Sequence, residues 1–189
     1  MRLKPGVRTI GIDDGPFDRD RSREVLVAGA IYRGGDCFDG LLTTRIRKDG
    51  WNATDRIAGM LRGSKFLPQL HYLILDGIAL GGFNIVEIGR LHRETGLKVL
   101  VVVRRRPKMQ AVRRALQRTS RPEKRWRMLQ SAGEILPICG LHCQLAGIEE
   151  EEAAALLELT CTRSLVPEPL RAAHLIAGGL VTGQSGRRA

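Results

Sequence analysis

Aromatic residues are scarce in this chain of 189 residues: four Phe, two Tyr and two Trp make up 4%. So few rings exclude an aromatic platform on which the bases of a single strand could stack. Long hydrophobic runs are missing as well. No stretch approaches the roughly 20 apolar residues of a membrane span, and Met1-Arg2-Leu3-Lys4-Pro5 lacks the apolar core of a signal peptide. A cytoplasmic protein is expected, with its four cysteines reduced. Cys139 and Cys143 flank His142, but no second pair stands at zinc-finger spacing. These thiols are expected to be small buried apolar residues rather than zinc ligands. Repeats and low-complexity segments are absent, and acids are in short supply.

What the chain has instead is positive charge. Lys and Arg total 31 against 20 Asp and Glu, a net charge of +11. Arginine dominates, with 25 Arg to 6 Lys, and its planar fork suits bidentate contact with phosphate. The charge is clustered: between Lys98 and Arg127 there are 12 cations and one acid, Glu123. A charge run is often only a solvated face. The concentration of cations and the lack of acids make a nucleic-acid partner the expectation.

The length fits a single domain, 1–183, followed by a flexible basic tail, 184–189. Arg8 to Asp14, Glu24 to Tyr32 and Cys37 to Lys48 read as three strands joined by short turns, an antiparallel meander. The period then changes. A helix capped by Asn52 or Thr54 runs to about Leu61, and His71 to Asp76 is a buried strand. Gly81-Gly82 leads to a helix over Asn84 to Thr95, closed by Gly96. The β-branched run Leu97 to Val103 is a strand covered on both faces. Strand, helix, strand at this spacing makes parallel crossovers. The expected fold is therefore α/β: a mixed sheet of three antiparallel strands and then two parallel ones, flanked by helices. A helix over Met109 to Arg118, a hairpin near Glu134 to Ala146, an acidic helix over Ile148 to Leu159 and a last helix over Pro167 to Val181 complete the expectation.

Two short segments carry chemistry. Thr9-Ile10-Gly11-Ile12-Asp13-Asp14-Gly15 and Leu73-Ile74-Leu75-Asp76-Gly77 are apolar runs that end in a carboxylate and then a glycine. The topology puts the first strand beside the fourth. Asp13 and Asp76 would then stand close enough to share a hard cation, Mg²⁺ or Mn²⁺. Either one alone would equally serve as a turn former or helix cap. Asp14 points to the other face of its strand and reads as a loop ligand or a neighbouring support. Asp49, in Arg47-Lys48-Asp49-Gly50, is a third ligand from a strand end or simply an Asp-Gly turn. Arg104, Arg105, Arg106 and Lys108 follow the fifth strand, on the same edge as Asp76, and are expected to hold phosphates. Glu151, in the acidic helix, is a further carboxylate for the site or solvated helix surface.

Three longer strings resemble a known family. They are Gly11-Ile12-Asp13-Asp14-Gly15-Pro16-Phe17, Leu75-Asp76-Gly77-Ile78-Ala79-Leu80-Gly81-Gly82-Phe83-Asn84 and Pro167-Glu168-Pro169-Leu170-Arg171-Ala172-Ala173-His174. They resemble the archaeal endonuclease dU family, long catalogued as a family of unknown function. That family is related to endonuclease V within the ribonuclease H-like superfamily. The resemblance covers essentially the whole chain. It implies a ribonuclease H-like fold and Mg²⁺-dependent nicking of DNA near a deaminated base, with deoxyuridine the expected lesion.

It also implies roles. Asp13 and Asp76 take the metal-binding positions, and a cation near Arg104 or Arg105 contacts phosphate. Base recognition does not carry over from endonuclease V; on the residues alone, the loop from Gly77 to Asn84, with Gly81, Gly82 and Asn84, is where a flipped base would sit, since glycine allows close backbone approach. Two features depart from endonuclease V. Its glutamate in a Phe-Arg-Glu string falls where this chain reads Ile46-Arg47-Lys48-Asp49, so either Asp49 replaces that ligand or the site lacks it. Its tyrosine wedge has no evident counterpart; Trp51 either substitutes or is a packing residue. Two alternatives stay open: a nuclease of the same fold acting on RNA or branched DNA, and a non-catalytic nucleic-acid-binding protein on a degenerate nuclease fold.

Overall fold

A computed structural model describes residues 3, 4 and 6–186. The centre of the sheet is set by three apolar segments. β1 (Arg8–Asp14) pairs antiparallel with β2 (Glu24–Arg33), which pairs antiparallel with β3 (Cys37–Arg47). On its other side β1 runs parallel to β4 (Tyr72–Asp76), and β4 runs parallel to β7 (Lys98–Val103). The late hairpin of β8 (Leu136–Ile138) and β9 (Leu141–Ala146) adds to the β7 edge, giving the order β3-β2-β1-β4-β7-β9-β8. The expected three antiparallel and two parallel strands are all in place, and the hairpin extends the sheet to seven strands.

Both faces of the sheet are covered, which is why β4 and β7 read as unbroken apolar runs. On one side α1 (Ala53–Arg62) and α2 (Ile88–Thr95) bury Ile57, Leu61 and Leu91 against Ile12, Leu73 and Val99. On the other, α5 (Glu150–Thr160) and α6 (Glu168–Thr182) bury Leu156, Leu157 and Leu170 against Ile74, Leu100 and Val102. None of the described helices is long and apolar enough to cross a membrane.

Two segments differ from expectation. The helix after Gly81-Gly82 starts at Ile88, not Asn84, because Asn84 and Ile85 form β6, which pairs with β5 (Ala79–Leu80) in a two-stranded ribbon. After α3 (Met109–Leu116) comes an unforeseen helix, α4 (Pro122–Gln130). Its charge hides the apolar period; only Trp126, Met128 and Leu129 mark its inner side. Of the basic tail, 187–189 lie outside the described residues. Residues 184–186 turn back on α6, where the Thr182 hydroxyl donates to the Gln184 carbonyl at 2.7 Å.

Candidate active site

Alternation along β1 sends Thr9, Gly11 and Asp13 to the α6 face of the sheet, and Ile10, Ile12 and Asp14 to the α1 face. The same rule places Tyr72, Ile74 and Asp76 of β4 on the α6 face. Gly11 pairs with Ile74 and Ile12 with Leu75, so Asp13 and Asp76 come next on strands about 4.8 Å apart. Side by side and on one face, they end adjacent parallel strands as the sequence predicts.

Helix α6 lies almost on β1. A Cβ at position 11 would stand 2.3 Å from the Pro169 carbonyl carbon, so only glycine permits this approach. The close fit brings His174 down to Asp13: Nδ1 of His174 is 2.8 Å from Asp13 Oδ2. The other oxygen of Asp13 accepts the Asp14 amide at 2.8 Å.

Asp13 is only 5% exposed. Burial, then the charge of Asp76, then that of Asp14 push its carboxyl from 3.8 up to about 7, against the pull of the His174 and Asp14 bonds. Burial also raises Asp76, while the nearby Arg104 guanidinium and His174 act in the opposite direction. Asp14 is raised by burial too, opposed chiefly by its bond from the Gly81 amide. Asp13, Asp14, Asp76 and His174, together with Phe17, Arg19 and Thr182, line a cleft of about 770 Å³.

A buried and a half-buried carboxylate side by side, with the charge of Asp76 raising the proton affinity of Asp13, are a fitting donor pair for a hard divalent cation. Mg²⁺ commonly takes one or two carboxylates and keeps water in its other positions. Among the described residues, however, no group of three or more His, Cys, Asp or Glu side chains is arranged to hold a metal ion.

Asp49 is not brought to Asp13 and Asp76. Its Oδ1 accepts the Phe83 amide at 2.8 Å and its own amide donates to Gly81 O at 2.8 Å. The Asp-Gly turn alternative describes it: φ at Asp49 is +49°. Gly82, at φ +87°, leaves no room for a side chain, since a Cβ would sit 2.4 Å from Asp49 Oδ1. On the opposite side of this turn Asp14 Oδ2 accepts the Gly81 amide at 2.9 Å. The turn 81–83 is thus clamped between two aspartates.

It borders a second hollow of about 500 Å³, lined by Asp49, Gly82, Phe83 and Arg118 and sharing Phe17 and Arg19 with the cleft. Gly82 lies where a base pocket was expected. Gly81 has its amide committed to Asp14. Asn84 does not serve a pocket at all: it is fully buried, and its side chain bonds Ala53 N, Arg47 O and Asn52 Oδ1 at 2.8–2.9 Å. It fastens the end of β3 and the start of α1 to the ribbon.

Arg104, Arg105, Arg106 and Lys108 lie on the exposed segment between β7 and α3, with Arg104 near Asp76. Glu151 is exposed, and its neighbour Glu152 bonds Tyr72 Oη and Lys98 Nζ at the opposite end of β4 and β7 from Asp76. Trp51 packs under Arg125, whose Cζ is 4.1 Å from the ring centroid, rather than standing free as a wedge.

Sequence reasoning missed two residues. His174 carried a signal: it interrupts the apolar stripe Leu170, Ala173, Ala177 of α6. Arg125 carried none, being one cation in a run of cations. It is fully buried, and its guanidinium donates to the carbonyls of Asp49, Gly50, Phe83 and Ser120.

Comparison with known proteins places this geometry. The chain matches the endonuclease dU family over residues 5–181. It belongs to that family. A UPF0215 protein of Methanothermobacter thermautotrophicus is 46% identical over 188 residues, covering 97% of this chain and 92% of that protein. A crystal structure from Archaeoglobus fulgidus, of a protein of unknown function, is 39% identical with a TM-score of 0.86, over 93% of this chain and 98% of that one. Endonuclease V of Ciona intestinalis, in complex with a 24mer DNA containing an inosine followed by a ribo-adenosine, is 13% identical with a TM-score of 0.55. It covers 91% of this chain and 84% of that one. The fold of this endonuclease dU family member is thus the ribonuclease H-like fold of endonuclease V.

Proposed function

We propose that this endonuclease dU family member is a divalent-metal-dependent endonuclease that nicks DNA at or near a deaminated base, with deoxyuridine the expected lesion. The observation that carries this reading is the pair Asp13 and Asp76, side by side on one face at the ends of parallel strands, with the charge of Asp76 raising Asp13. Family membership supports it, as does the net charge of +11.

Asp13 and Asp76 would hold Mg²⁺, or Mn²⁺ in its place. Such an ion screens phosphate charge and makes a bound water more acidic. The protein's own residues do the rest. His174 holds Asp13 in one orientation. Arg104, aided by Arg105, Arg106 and Lys108, draws the phosphate backbone to the acidic pair. The hollow beside Gly82, Phe83 and Asp49 receives the extruded base, and Phe17 and Arg19 join it to the cleft. Incubating uracil-containing and undamaged duplexes with the protein, with and without Mg²⁺, tests the reading. Nicking of the uracil strand alone, abolished by Asp76→Ala, is expected. Equal nicking by Asp76→Ala would remove the metal assignment.

One observation favours a second reading. With no third carboxylate arranged with Asp13 and Asp76 to hold a metal ion among the described residues, a non-catalytic nucleic-acid-binding protein on the same fold is the competitor. Calorimetric titration with Mn²⁺ separates the two. Binding that vanishes in Asp13→Asn and Asp76→Asn supports the enzyme, and no binding to the native chain supports the competitor. Single-stranded RNA and branched DNA belong in the same substrate panel.

A further inference from the structure

Helices α3 and α4 form an arm that the chemistry of the cleft does not use. From Met109 to Arg127 the chain carries seven cations and one acid, Glu123. Among the described residues none of these cations is ion-paired with a carboxylate, whereas Arg8, Arg62, Arg90, Lys98 and Arg171 elsewhere all are. The inner side of α3 is apolar, with Val112 and Leu116 packed on Ile85 and Trp126. Its outer stripe is Gln110, Arg113, Arg114 and Gln117, which line a shallow hollow of about 370 Å³. Those positions follow the helical spacing i, i+3, i+4, i+7 and therefore share one face.

The arm is also rigidly placed. Arg125 is buried between Trp51 and four backbone carbonyls, and two of these, at Asp49 and Phe83, belong to residues lining the hollow beside the cleft. The same hollow is walled on the arm's side by Ala115, Arg118 and Thr119. A polymer lying over Asp13 and Asp76 would thus pass directly onto α3.

We infer that the α3–α4 arm is a docking surface for the double-stranded flank of a DNA substrate. This rests on the nuclease reading for the position of the cleft, but the surface is defined independently. Unpaired guanidiniums match a phosphate backbone, and Arg and Gln are the side chains whose paired donors and acceptors suit groove edges. A single strand fits less well. It needs open rings to stack on, and the two tryptophans nearby are already covered: Trp126 by Arg113 at 5.3 Å, Trp51 by Lys124 at 4.9 Å and by Arg125.

The test is binding of the full chain to an undamaged, fluorescently labelled duplex in EDTA, followed by anisotropy across a salt series. Arg113→Glu/Arg114→Glu is expected to weaken binding at least about tenfold and to flatten the slope of log K against log salt by about two. Arg114→Glu/Arg127→Glu, which leaves the Arg113–Trp126 contact intact, should act likewise. The pair Arg56→Glu/Arg93→Glu, on α1 and α2, makes the same change in net charge away from the arm and should cost less than about threefold. Duplex binding equal to that of the Arg56/Arg93 control overturns the inference. So does an equal loss for duplex and for single strand of the same length. The nuclease reading fails separately: if the native chain never nicks but the arm variants still lose duplex, the arm stands without the enzyme. If it nicks and the arm variants bind duplex as the control does, the enzyme stands without the arm.

Discussion

Nδ1 of His174 lies 2.8 Å from Oδ2 of Asp13, although 161 residues separate them in the chain. The contact exists because Gly11 lets α6 rest on β1. It leaves one carboxylate of the acidic pair supported by a side chain and the other, Asp76, facing Arg104.

The His174 bond lowers the proton affinity of Asp13. Removing it should raise that affinity, so the acid limb of a pH–rate profile should move to higher pH in His174→Ala. At neutral pH nicking should fall by roughly tenfold or more. His174→Gln, which can restore a donor, should recover part of the shift. An unchanged acid limb in His174→Ala would show that the histidine merely packs.

Asp13 also makes the folded chain sensitive to pH without metal. Its carboxyl rises from 3.8 to about 7 on folding, so between these values the folded state keeps a proton that the unfolded state has lost. The stability tied to this proton is fully present below the unfolded value and is lost as pH rises through about 7. Asp13→Asn removes that loss. In EDTA, the melting temperature of the native chain relative to Asp13→Asn should fall by roughly 2–6 °C between about pH 5 and pH 8. Added Mg²⁺ should reverse the fall in the native chain only. A pH-independent difference between the two would refute the assignment.

Asp49 offers a sharper separation of structure from chemistry. If its work is to accept the Phe83 amide, Asp49→Asn keeps that acceptor and should retain Mn²⁺ binding and most nicking. Asp49→Ala should lose about 1–3 kcal/mol of stability through the orphaned amide. Loss of Mn²⁺ binding in the asparagine variant would restore Asp49 as a ligand.

Gly11→Ala tests the seating of α6. The added Cβ meets backbone at 2.3 Å, which no side-chain rotation can relieve. About 2–3 kcal/mol of destabilisation in urea melts is expected, with loss of the His174 effect on the acid limb. A variant of native stability would mean that α6 can lift without cost.

Arg125→Met should show what its carbonyl contacts are worth. Four carbonyl groups lose their donor, so roughly 2–4 kcal/mol is expected, with faster amide exchange over 109–130 than elsewhere. Uniformly faster exchange would argue against a local fastening.

Much of this was legible in advance. β1, β2, β3, β4 and β7 follow from period and punctuation, strand order puts Asp13 beside Asp76, and parity turns Asp14 away from Asp13. The parts that were not legible share a cause. Asn84 reads locally as the start of a helix because its value lies in three partners at the end of β3 and the start of α1, far away in sequence. Arg125 resembles every cation around it until folding surrounds it with carbonyls. Asp49 was ambiguous because an Asp-Gly pair reads the same whether its carboxylate meets a metal or a backbone amide. Local patterns reveal which face a residue takes, but not which distant group will be waiting there.

The neighbouring carboxylates of Asp13 and Asp14 divide the labour of β1 between its two faces, one toward His174 and one toward Gly81. Because they are adjacent, a single inserted or deleted residue earlier in the strand would exchange them. Asp14 would turn toward the acidic cleft, Asp13 or its replacement toward the turn at Gly81, and the glycine beneath α6 would give way to an isoleucine. Substitutions elsewhere in the strand can be absorbed one at a time. Its length cannot change by one without undoing the cleft, the turn and the helix contact together.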